Sequence, residues 1–218
     1  MLLDEIQNRI IMNKLREQTF PESVRMILIL YPKESKRKII LPPPFLHVTL
    51  STPYRSTIAI TSLARFIAKC KGLIVPEGDI GSGVQGTKPM FFDVGRDEKQ
   101  VKRALEYCRK HLGMDVTILR ETFLVKAYLG PGRTSLITEG NSNTADSFYG
   151  WEADRVVAVT MGHSIMESIT RARTHLAVIL FENPVDADSA IVKEESLYIK
   201  TKKIFLEAVH QGLVDHIE

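Results

Sequence analysis

A chain of 218 residues that is 44% hydrophobic and 25% charged has the apolar content to bury a core, and lacks the bias of a disordered, collagen-like or disulfide-stapled protein. Its 29 basic against 26 acidic residues give a net charge of +3, which permits nucleic-acid contact but excludes a protein whose binding rests on bulk positive charge. Cys70 and Cys108 lack metal or redox spacing, no apolar run approaches the roughly 18 residues of a membrane helix, and the opening MLLDEIQNR has acid where a signal peptide needs base, so the expectation is a cytoplasmic or nuclear protein with no membrane partner.

In chain order, the apolar runs at 26–30 (MILIL), 45–51, 90–94, 115–119, 135–140, 155–160 and 176–181 read as β-strands. Several are apolar nearly throughout, the pattern of strands covered on both faces. Four helices are predicted between and after them. The first is capped by Ser56 or Thr57 and turns Ile58, Leu63, Phe66 and Ile67 inward. The second, DEKQVKRALEYCRKHLG, opens on acid, closes on Lys, Arg and His, and stops at Gly113. A shorter helix is expected over 120–132, and a last one buries Leu197, Ile199, Ile204, Phe205 and Val209. Such alternation predicts an α/β fold, a parallel sheet with helices on both faces. The stretch YPKESKRKIILPPP (31–44) divides the chain into a small N-terminal piece, 1–44, and an α/β domain, 45–218, because three consecutive prolines continue neither a helix nor a central strand. The Gly-rich run at 76–89 lacks the Gly-Lys-Ser/Thr ending of a phosphate-binding loop and reads as a surface loop.

Open α/β sheets bind ligands at the carboxyl ends of their strands. Three polar turns are candidates for that edge: TPYRST (52–57), NTADSFYGWEAD (143–154) and ITRAR (169–173). Arginine recognises phosphate through a planar, bidentate fork. The expectation is that Arg55, Arg171 and Glu152 converge at the carboxyl edge as one anion site, with Arg173 left to a surface ion pair.

The segments TPYRST, TADSFYGWEADRVVAV and MESITRARTHLAVIL resemble, in the same order, motifs IV, V and VI of superfamily-1 helicases, which lie on that family's second RecA-like domain. The resemblance spans about residues 45–182. It implies that Arg55 and Arg171 are arginine fingers for the γ-phosphate of ATP, that Tyr54 stacks on adenine, and that Gly150 and Glu152 belong to the nucleotide side of motif V. Thr144, Ser147 and Trp151 are then nucleic-acid contacts; read locally, Trp151 is expected to pack its loop against the sheet. LLDEIQ (2–7) is similar to motif II, in which Asp4 would hold Mg²⁺ and Glu5 would position the attacking water; read locally, DEIQ is also the acidic first turn of a helix. Two departures stand out. Asp146, Tyr149 and Trp151 replace the His, Lys and Leu of motif V, and MILIL is followed by YPKES in place of motif III. No Gly-x-x-x-x-Gly-Lys-Ser/Thr occurs in the chain. Residues 1–44 are therefore expected to be a remnant of a first RecA-like domain ahead of a second one. The isolated chain is not expected to be a competent ATPase. The implied partners are single-stranded RNA or DNA and a missing N-terminal P-loop domain or larger parent protein. Two alternatives remain: a non-catalytic helicase-like binding or scaffold module, and an unrelated α/β enzyme acting on a phosphorylated small molecule.

Overall fold

The structure, a computed structural model, describes residues 2–3, 27–28, 55–73, 75, 83–121, 142–145, 148, 151–182 and 196–217. Strands β1 (Leu2–Leu3) and β2 (Ile27–Leu28) form a short parallel pair. The other six form one all-parallel sheet: β3 (Met90–Gly95), β4 (Thr117–Arg120), β5 (Ser142–Thr144), β6 (Ala153–Thr160), β7 (Ala172–Phe181) and β8 (Asp215–His216). Their order across the sheet is β5-β4-β6-β7-β3-β8.

Helix α1 (Ile58–Cys70), α3 (Ile165–Ile169) and α4 (Leu197–His210) cover one face, and α2 (Glu98–Leu112) covers the other. Alternate residues of each central strand enter opposite cores. Val156 and Ala158 of β6 join Leu63, Ile165 and Phe205, whereas Val157 and Val159 join Leu105 and Cys108. This two-sided burial is why the central strands are apolar along most of their length. The α/β fold with helices on both faces is thus as the sequence predicts, and the arrangement is compatible with a RecA-like domain. The strand expected at 45–51, the run at 135–140 and the boundary at 44 lie outside the described residues.

The second predicted helix has the expected ends. Asp97 accepts a hydrogen bond from the Lys99 backbone N–H at 2.8 Å, and Gly113 closes the helix at φ 102°, in the region that favours glycine. α1 differs at its start. Neither Ser56 nor Thr57 caps it with a side chain; the N–H groups of Ile58 and Ala59 instead donate to the carbonyls of Val84 and Gln85. The Gly-rich run therefore clamps the start of α1. A Cβ at Gly86 would meet Thr57 Cβ at 2.4 Å, so only glycine allows this approach. α4 turns Phe205 inward as expected, with Ile204 and Val209 packed against the same core, but the rest of its buried stripe differs. Tyr198, Thr201, Phe205 and Ala208 form its buried stripe, and Ile199 faces outward. Counting apolar residues does not find the whole face because a tyrosine and a threonine hold two core positions. The helix predicted from 120 begins inside a strand, since Arg120 ends β4; residues 122–132 lie outside the described residues.

α4 is tied to the sheet by Asp93 of β3. Its carboxylate accepts from the Tyr198 hydroxyl at 2.5 Å and pairs with Lys202 Nζ at 2.5 Å. Burial acts to raise the Asp93 pKa. The Lys202 and Tyr198 hydrogen bonds, the lysine charge and the Gly95 backbone together outweigh it and hold the carboxyl below its ordinary value. A pKa depressed by folding adds stability that is complete above the unfolded carboxyl value of about 3.9 and is lost as pH falls through the folded value. Asp93→Asn is therefore expected to be less stable than wild type at neutral pH, with the gap closing below roughly pH 4. Urea unfolding of both proteins at neutral and acid pH measures it; a gap that stays constant with pH would refute this account.

Candidate functional site at the amino edge of the sheet

Because all six strands run parallel, the residues that precede β6 and β7 share one edge, and it is the amino edge. Glu152 immediately precedes β6, and Arg171 immediately precedes β7. The site expected at the carboxyl edge is thus at the opposite one. The physical reason is directional: turns that lead into parallel strands lie at their amino ends, whatever their composition.

Arg55 reaches this edge through the lead-in to α1. β3 pairs with β7 only from Ala177 onward, so the first residues of β7 have no β3 neighbour. The lead-in docks beside them, with Thr57 N–H donating to Arg173 O at 3.0 Å and Ser56 Oγ donating to Ala172 O at 2.6 Å. Arg55 is then held by two partners from distant segments. Nη1 donates to Glu152 Oε1 at 3.0 Å, and Nη2 donates to the Thr170 carbonyl at 2.7 Å. Thr170 ends α3, and its own hydroxyl donates back to Met166 O at 2.8 Å.

A bulge brings in a second arginine. Ala153 is level with Ala172 and Arg155 with His175, so β7 has one extra residue in this interval. Bulges bend a strand and re-aim its side chains. Here Arg173 Nε lies 3.9 Å from Glu152 Oε2 and 3.7 Å from Asp154 Oδ1, while Thr174 Oγ1 donates to the Asp154 carbonyl at 2.7 Å. Arg173 forms the surface ion pair expected of it, but with the same carboxylate that holds Arg55. Asp154 had no expected role. The only cue in sequence was the like spacing of Glu152-x-Asp154 and Arg171-x-Arg173, two separate segments, and it does not show that they face each other.

The structure joins Arg55, Glu152 and the Thr170–Arg171 turn. Arg171 is anchored through its backbone, its N–H donating to Ser168 O at 3.2 Å and its carbonyl accepting from Ala153 N–H at 3.0 Å. Trp151 lies next to Glu152 with its indole 69% exposed, so it does not pack the loop against the sheet. Thr144 is elsewhere. It pairs with Arg120 at the carboxyl end of β4, level with Val159, and Val159 is about 20 Å along β6 from Ala153 at the usual strand rise. Asp4, Glu5, Tyr54, Ser147 and Gly150 lie outside the described residues.

At the carboxyl edge several of the described residues are held by internal contacts. Glu121, after β4, is 3% exposed and accepts from Thr160 Oγ1 and from the N–H groups of Met161, Gly162 and Ser164. Arg96 binds Glu182 with Nε at 3.2 Å and Nη2 at 3.3 Å, and Asp93 is held by α4. Four donors at and after the end of β6 are therefore bound to one protein carboxylate. Among the described residues, no group of three or more His, Cys, Asp or Glu is placed to hold a metal ion. No described helix is long and apolar enough to cross a membrane.

The arrangement at the amino edge can bind an anion: two guanidinium groups, each a third or more exposed, flank one displaceable carboxylate beside an exposed indole. No protein-family model matches the chain, and a search of curated proteins finds no relative.

Proposed function

We propose that this chain is the C-terminal motor domain of a superfamily-1-like helicase, which presents Arg55 and Arg171 to ATP held by a P-loop domain and contacts single-stranded nucleic acid through Trp151. The observation that supports it is the Arg55–Glu152–Thr170 junction, which links all three motif-bearing segments, 97 and 115 positions apart in the chain, at one edge of a parallel sheet. In this reading ATP supplies the phosphoryl group and Mg²⁺ neutralises its charge, with Asp4 and Glu5 as the matching acidic pair. The described residues would orient the γ-phosphate and add positive charge beside it. An exposed tryptophan beside arginines provides the stacking surface and cation used to grip a single strand. Action on nucleic acid places the protein in the cytoplasm or nucleus.

The second reading, a helicase-like binding module without catalysis, is favoured by the same junction, because Arg55 is engaged within the domain. Titration of the full chain with a fluorescent ATP analogue and Mg²⁺, and separately with a labelled single-stranded oligonucleotide, separates the two. The motor reading expects saturable nucleotide binding that falls at least about tenfold in Arg55→Ala/Arg171→Ala, as loss of charge-assisted hydrogen bonds requires. Oligonucleotide binding without nucleotide binding favours the module. Binding of neither at millimolar ligand overturns the module and restricts the motor reading to a longer parent protein that supplies the P-loop.

A further inference from the structure

Resting on the anion-site reading of the same edge, we infer that Glu152 is a built-in competitor for the ligand, and that it selects a terminal phosphate or polyphosphate over an internal phosphodiester. In the free protein its carboxylate already occupies the guanidinium faces that a phosphate would take. Oε1 accepts from Arg55 at 3.0 Å, and Oε2 lies 3.9 Å from Arg173. With Asp154 as the other neighbour of Arg173, the cluster of two guanidiniums and two carboxylates is neutral as it stands.

The charge balance decides which ligands enter. A phosphodiester carries one negative charge, so its entry replaces one monoanion by another. It gains no Coulomb energy, and it must beat a contact that is intramolecular. A terminal phosphoryl group or polyphosphate brings at least two charges and several acceptor oxygens, enough for both guanidiniums at once. The bond from Arg55 to the Thr170 carbonyl does not involve Glu152, so it keeps the guanidinium aimed while the carboxylate swings out. Every side chain in the cluster is a third or more exposed, which leaves room for that exchange. Glu152 therefore acts as a specificity-determining residue.

The test is calorimetric titration of the full chain, wild type, Glu152→Gln and Asp154→Asn, with inorganic tripolyphosphate and with dimethyl phosphate as a monoanionic diester. Glu152→Gln keeps an amide oxygen for Arg55, and a thermal melt matching wild type shows that the fold is retained; Glu152→Asp, which draws the carboxylate back, is the second variant. Glu152→Gln is expected to bind tripolyphosphate about five- to tenfold more tightly than wild type, the scale of one partly exposed charge. It should also admit dimethyl phosphate, which wild type rejects. Asp154→Asn and Glu152→Asp should move the same way by less. If wild type binds tripolyphosphate and Glu152→Gln binds it no more tightly, the competitor role is overturned and the anion site stands. If none of the proteins binds tripolyphosphate, the anion site falls and the competitor role falls with it.

Discussion

Glu121→Ala is expected to lower the stability of the chain by roughly 3–5 kcal/mol. The carboxylate is the common acceptor for three backbone N–H groups, of Met161 at 3.1 Å, Gly162 at 3.2 Å and Ser164 at 2.9 Å, and for the Thr160 hydroxyl. These donors lie at the end of β6 and in the turn between β6 and α3. Removing the acceptor leaves buried donors unpaired, at about 1–3 kcal/mol for each that water cannot reach. The Gly162 N–H retains a bond to Thr160 Oγ1 at 2.8 Å, which is why the sum stops short of three full penalties. Glu121→Gln keeps one oxygen acceptor and should cost less than half as much. Urea unfolding of the three proteins measures the effect as a fall in midpoint at unchanged slope. A loss below about 1 kcal/mol for the alanine variant would show that the turn relaxes and does not need the carboxylate.

Phe205→Ala should lower the melting temperature by roughly 10 °C. Phe205 has no exposed surface and stacks on Phe91 of β3, with ring centroids 4.6 Å apart and planes 13° from parallel. The pair joins α4 to the sheet, and α1 packs beside them through Ile60, Leu63 and Ile67. Truncation of a buried phenylalanine costs about 3–5 kcal/mol, since lost transfer energy adds to the cavity left behind. In a chain of this size each kcal/mol lowers the melting temperature by about 2–4 °C. Phe205→Leu fills most of the volume and should retain more than half of the lost stability. A shift of only two or three degrees for the alanine variant would mean that α4 is not coupled to the sheet through this contact. The Asp93 bridge would then be its main attachment.

Local signals in the sequence had clear counterparts in the structure. Asp97 and Gly113 bound α2 because a cap is a contact between residues two to four positions apart, so its chemistry is contained in a short window. The apolar runs of β6 and β7 announced burial on both faces, and with it a parallel sheet under two layers of helix. α4 was recognisable as a helix and Phe205 as one of its core residues, but Tyr198 and Thr201 were not. Tyr198 is drawn into the core by a hydrogen bond to Asp93, 105 positions earlier in the chain. No helical window contains that partner.

The candidate site divides in the same way. By itself, the sequence determined the residue types that could bind an anion, the three segments that carry them and the α/β class of the domain. The tertiary structure alone decided that these segments meet at the amino edge, that a bulge in β7 turns Arg173 toward Glu152 and Asp154, and that Glu121 binds the turn after β6. Strand direction, register and the late start of β3 beside β7 all depend on pairing between distant segments. Composition and periodicity report each segment's own preference and carry no information about which neighbour it will find.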